Sequence, residues 1–122
     1  MERMAPCPAS PNCVSSHATD AGHAIPPFTA ADPGKALAEL VAAAQRVDGF
    51  TTLVVHDADY VHATFTTPML RFVDDLELQL GERSVHVRSA SRLGYGDHGV
   101  NRARVEALRA AWGTEPSTPG AP

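Results

Sequence analysis

The sequence predicts an α+β protein. It reads as a two-layer sandwich in which a four-stranded antiparallel meander carries two helices on one face, in the order α-β-β-β-β-α. Three observations predict this. Apolar residues recur at helical spacing on either side of the chain's middle: Leu37, Leu40, Val41, Ala44 and Val47, then Val105, Leu108 and Trp112 with Ala111 beside them. Between these stretches lie four runs with β-type composition and alternation. The links between the runs are too short for crossovers, so neighbouring strands pair as hairpins.

Residues 1–32 read as an extended, Pro-rich segment packed on the domain. Five prolines remove backbone donors and fix φ there, and no periodicity is sustained. Residues 33–113 form the α+β domain. Asp32 is placed to cap the first helix, Pro33 suits its first position, and Asp48-Gly49 is expected to end it. The strands are expected at 51–56, 60–66, 70–80 and 84–91, with the last helix starting near Asn101. Residues 114–122, rich in Pro, Ser and Thr, are expected to be a disordered tail.

At 122 residues and 12.9 kDa, the chain has the length of one domain. A net charge of -4 argues against a nucleic-acid partner, which calls for a basic footprint. Nine of the ten basic residues are Arg, with Lys35 the exception, and this bias alone assigns no function. No apolar run approaches the roughly 18–20 residues of a membrane helix. The first residues show no apolar core of a secretory signal, so a cytoplasmic location is expected, with a periplasmic one if an export signal precedes this sequence.

The run from Leu70 to Leu80 singles out one residue. Its even positions, Leu70, Phe72, Asp74, Leu76, Leu78 and Leu80, face the core by period two, so Asp74 interrupts an apolar row. A buried carboxylate needs a partner, such as Arg92 or backbone amides, or it serves as a general base or ligand anchor. A two-residue turn at Gly81-Glu82 sets Asp74 opposite Ser89, Asp75 opposite Arg88 and Glu77 opposite His86. Placing Phe65 opposite Phe72 adds His62 beside Asp75 and Tyr60 beside Glu77. Two polar rows then cross the helix-free face, each pair contributing about 0.2–1 kcal/mol. His62, Glu77 and His86 lack the spacing of a known zinc motif, and no metal site is assigned.

Cys7 and Cys13 admit several readings. They could be small buried thiols, a disulfide loop, two metal ligands with His17 or His23, or, for Cys13, a nucleophile. In a cytoplasmic setting the pair is expected to stay reduced. Further on, Gly94, Gly96 and Gly99 match the letters of a dinucleotide fingerprint, but the preceding sheet is antiparallel and no second parallel strand follows. These glycines before a helix start, with Arg88, Arg92 and Arg102 nearby, suit an anion. Alternatively Asp97 and Asn101 cap the helix.

Three stretches, Cys7-Pro8 through Ser10-Pro11-Asn12-Cys13-Val14-Ser15-Ser16, then Asp74-Asp75 with Glu77, then Arg88 to Arg92 with Gly94, Asp97, Gly99, Asn101, Arg102 and Arg104, resemble domain-of-unknown-function family 1499. The resemblance spans roughly Pro6 to Trp112, with the motifs in the family's order. It implies no activity. Many members resemble exported or membrane-anchored proteins with an apolar segment before the Cys-Pro motif. The resemblance also suggests that the three motifs converge, with the N-terminal segment crossing the sheet near Asp74 and the Arg88–Arg92 strand end.

The leading expectation is a binding domain for a small anionic or polar ligand, or a partner segment. The candidate ligand-binding residues are Asn12, Cys13, Asp74, Asp75, Arg88, Ser89, Ser91, Arg92, Asp97, Asn101 and Arg102. An enzyme using Asp74 or Asp75 as acid/base, or Cys13 as nucleophile, is the second reading, and a structural or assembly protein the third. No cofactor is named. A monomer or weak homodimer is expected, with no membrane span.

Overall fold

The computed structural model describes residues 3–113, so the expectation for 114–122 lies outside the described residues. The architecture is α+β, with the elements β1 (Cys13–Ser15), β2 (Phe28–Thr29), α1 (Pro33–Ala44), β3 (Phe50–His56), β4 (Tyr60–Thr66), β5 (Val73–Leu80), β6 (Ser84–Ser91) and α2 (Val100–Gly113). The sheet has six strands, two more than the meander predicted. β3 to β6 form the meander, and β1 and β2 both pair antiparallel with the outer edge of β6. The N-terminal segment thus covers an edge whose unpaired backbone groups would otherwise be open.

Asp32 caps α1, its Oδ1 accepting from Lys35 N at 3.1 Å, with Pro33 in the first turn. The helix stops at Ala44, before the expected Asp48-Gly49. Gly49 instead opens the route into β3 at φ 91°, where a Cβ would lie 3.0 Å from Thr66 O. Leu37, Leu40, Val105 and Leu108 from the two helices join Phe65, Leu76, Leu78, Val85 and Val87 of the sheet in one core. Phe28, from the segment read as irregular, is fully buried there and meets Trp112 edge-on at 5.7 Å. No helix among the described residues is long and apolar enough to cross a membrane.

The hairpin registers differ from those predicted. Glu82 and Arg83, not Gly81 and Glu82, are central in the β5–β6 turn, and Gly81 N donates to Ser84 O at 2.8 Å. Gly81 is needed for close approach: a Cβ would come within 3.0 Å of that same oxygen. One step in the turn moves the register by two, so every residue keeps its face but changes partner. Asp74 pairs with Ser91, Asp75 with Ala90, and Glu77 with Arg88. The β4–β5 hairpin shifts likewise, setting Phe65 opposite Asp74 and not Phe72. There Thr67 and Phe72 close the loop, with Thr67 N on Phe72 O and Phe72 N on Thr67 Oγ1, each at 2.9 Å. β5 therefore begins at Val73, and Leu70 and Phe72, expected in the core row, are exposed in the loop. Arg71, at φ 56°, breaks the extended path.

Candidate functional site

Asn101, in the first turn of α2, is fully buried and ties four parts of the chain together. Its Oδ1 accepts from Ser89 Oγ at 2.7 Å and Arg104 Nη1 at 3.0 Å. Its Nδ2 faces Asp97 Oδ2 at 2.8 Å, Ser91 Oγ at 2.9 Å and Asn12 O at 3.3 Å. Asn12 O also accepts from Ser91 N at 3.0 Å, while Asn12 Nδ2 donates to Gly94 O at 2.8 Å. Asp97 completes this clasp by accepting from Gly99 N at 2.8 Å and Asn101 N at 3.1 Å. Burial would raise the Asp97 carboxyl, but hydrogen bonds from Asn101 and Gly99 outweigh it and hold it below the ordinary carboxylate value. The start of α2 thus already receives a carboxylate from its own chain.

Asp74 lies at the start of β5 on the helix side, with 1 % of its surface exposed. Its ion partner is Arg104, whose Nη2 stands 2.8 Å from Oδ2, not Arg92. Arg104 is fixed in turn by Asn101, by Ser89 Oγ at 3.4 Å and by the Phe65 ring, 4.9 Å below its guanidinium. Neither Asp74 oxygen makes a hydrogen bond of normal geometry, and Oδ1 is an unsatisfied buried acceptor.

Asp74 is at the floor of a cleft of about 270 Å³ between the 67–72 loop and the chain leading into α2. Met69, Leu70, Phe72, Leu93 and Val100 supply apolar walls, and Ser91 and Asp97 add polar groups. Seven large apolar side chains stand exposed among the described residues. Six of them, Met69, Leu70, Phe72, Leu93, Tyr95 and Val100, lie in these two stretches. The exposed apolar side chains are thus concentrated at one end of the domain.

Other candidates lie elsewhere. On the helix-free face, His62 Nε2 meets Asp75 Oδ1 at 2.7 Å, and Arg92 binds both Asp75 oxygens at 2.9 Å. Burial acts to raise the Asp75 carboxyl, yet the Arg92 and His62 hydrogen bonds win and lower it. Alongside, Tyr60 donates to Glu77 Oε2 at 2.5 Å and Arg88 Nη1 reaches Glu77 Oε1 at 3.3 Å. Burial first, then Glu77, pushes the Tyr60 phenol well above its ordinary value. The expected rows thus re-form with Arg92 and Arg88 in place of Arg88 and His86. His86 turns to Ser16, its Nδ1 3.1 Å from Oγ, and its ring lies 4.3 Å from that of His17 at a tilt of 48°. No group of three or more His, Cys, Asp or Glu among the described residues is arranged to hold a metal. Arg102 donates to Ala24 O at 2.9 Å and Gly22 O at 3.4 Å. Cys13 is disulfide-bonded to Cys7, contrary to the reduced pair expected, and so offers no thiolate for a nucleophilic role.

Asn12, Ser89, Ser91, Asp97 and Asn101 therefore come together, with Asp74 joined through Arg104. Asp75, Arg88 and Arg92 form a separate cluster on the other face. Residues 3–112 match the family described as Protein of unknown function (DUF1499). The chain belongs to this family. No curated protein and no solved structure matches it.

Within this DUF1499 chain, the three sequence stretches do different work. The Cys7–Ser16 stretch and the Arg88–Arg104 stretch interlock around Asn101, whereas Asp75 and Glu77 of the middle one face away from it. The sequence reading missed Arg104 as the partner of Asp74, although the two stand in named stretches. It missed the cleft walls too, because Leu70 and Phe72 fit the alternation of a strand. Pro68 and the Thr67 hydroxyl were the available signals that the strand starts later.

Proposed function

We propose that this domain binds a small ligand with an apolar body and a polar group in the cleft above Asp74. One observation carries the reading: most exposed large apolar side chains surround a cleft lined also by Asp74, whose carboxylate is buried and has an unsatisfied oxygen. A few convergent polar groups in an apolar concavity are the usual makeup of a ligand site. At about 270 Å³ the cleft is just below the common ~300–1,000 Å³ range, which favours a compact molecule. The arginines that suggested an anion are engaged: Arg88 with Glu77, Arg92 with Asp75, and Arg102 with backbone carbonyls. This supports the polar side of the expectation over the anionic one. The Cys7–Cys13 disulfide supports work in an oxidising compartment such as the periplasm over the cytoplasm.

Titration with benzyl alcohol, followed by methyl and amide NMR shifts, tests the reading. Shifts confined to Met69, Leu70, Leu93, Val100 and their neighbours are expected, saturating in the millimolar range or below. Absent shifts, or shifts scattered over the surface, overturn it.

A further inference from the structure

We infer that the cleft selects a small primary amine, with an alkyl or aryl body against Met69, Leu70, Phe72 and Leu93 and an ammonium group on Asp74. This rests on the binding reading above and names the chemistry of the head group. The floor offers an acceptor: Asp74 Oδ1 is buried and has no hydrogen-bond partner among the described residues. Leaving such an oxygen unpaired is costly, and a donor brought by a ligand recovers that cost. Of the titratable residues that line the cleft, two are carboxylates, Asp74 and Asp97, one is an imidazole, His98, and none is Lys or Arg.

Arg104, the ion partner of Asp74, cannot serve an anion instead. Arg104 lies behind Asp74 on the core side, held by Asn101, Ser89 and the Phe65 ring. Its charge balances Oδ2 and leaves Oδ1 for a second donor, an arrangement in which one carboxylate bridges two cations. A carboxylate ligand would meet Asp74 and Asp97 with like charge in a partly desolvated space. A neutral alcohol gains one hydrogen bond to the carboxylate, whereas an ammonium group gains that bond together with the attraction between opposite charges. The apolar walls hold the body and the floor chooses the head.

Benzylamine, benzyl alcohol and benzoate share one ring and differ at the head, so their dissociation constants at neutral pH, read by NMR on the full chain, separate the two claims. Benzylamine is expected to bind roughly tenfold or more tightly than either other probe. Asp74→Asn should abolish that preference while benzyl alcohol still shifts the wall methyl groups. Leu93→Ser, which leaves Asp74 and its ion pair intact, should weaken all three probes by a similar factor. If Asp74→Asn does not fold, the ranking on the natural chain still decides. Equal binding of the three, or a preference for benzoate, overturns the amine while leaving the cleft as a binding site. Binding of none of them in the cleft overturns both.

Discussion

The Asn101 clasp and the cleft lie side by side, share Asp97 and Ser91, and are built on opposite principles. In the clasp, polar groups from four chain segments satisfy one another inside the protein. In the cleft, apolar side chains face solvent and Asp74 Oδ1 stays unpaired. A satisfied buried network fixes one geometry and offers little to a ligand. An unsatisfied acceptor among exposed apolar groups does the reverse. The polar residues that stand out in the sequence thus build the support, and the surface they support is made of residues that look ordinary.

The contrast can be broken most strongly at Arg104. Arg104→Met removes the ion partner of a carboxylate with 1 % exposure, leaving a buried uncompensated charge. The expected loss is about 3–5 kcal/mol in urea unfolding. Leu93→Ser, at a side chain 65 % exposed, should stay within about 0.5 kcal/mol of the natural protein. Comparable losses from the two variants would mean that the cleft wall is structural and that the division between the regions is false.

How much of this was legible in the sequence depended on which interactions set each feature. Helix starts and strand faces follow local chemistry, so Asp32, Pro33 and the alternation of 84–91 led to the right elements. Registers depend on which residues occupy the turn centres. Gly81 suits a turn centre by sequence but serves a close approach, and that difference re-pairs β5 with β6. Burial of Asp74 was legible from its neighbours at Leu76 and Leu78, whereas its partner was not. Arg104 reaches Asp74 only because α2 packs on that face of the sheet, a tertiary fact without a local signature. The cleft was hidden for the same reason: Leu70 and Phe72 fit a strand until Thr67 and Phe72 close the loop.

A smaller effect sharpens the comparison from the N-terminal side. The disulfide ties Cys7 to Cys13, the neighbour in the chain of Asn12, whose carbonyl receives both Ser91 N and Asn101 Nδ2. Replacing both cysteines with Ser is expected to cost about 2 kcal/mol, the scale for closing a short loop. Hydrogen exchange at Ser91 N–H, bonded to Asn12 O at 3.0 Å, should accelerate more than at Arg92 N–H, bonded to Val73 O at 3.1 Å. Equal acceleration at the two amides would show that the disulfide acts on the whole sheet and not on the clasp.

The smallest effects come from pH, and they differ in sign between regions. Asp97 in the clasp and Asp75 on the far face have carboxyls held below their ordinary value in the folded state. Their contribution is present above the unfolded value of about 4 and is lost as pH falls through the lower folded value. His23 moves the other way. The Ser10 carbonyl, 2.9 Å from Nε2, and Asp20, 2.6 Å from Nδ1, both favour its protonated form and raise it. Its contribution is full below about pH 6.5 and is lost as pH rises through the higher folded value. Urea midpoints should therefore plateau between about pH 4 and pH 6.5, with a decline on either side. Asp97→Asn should lessen the acid decline, because the neutral amide no longer titrates, and His23→Gln should flatten the alkaline one. An acid decline that Asp97→Asn leaves unchanged would remove the clasp carboxylate from the pH response and leave the other lowered carboxyls, Asp75 with Arg92 and His62 and Asp20 with His23, as its source.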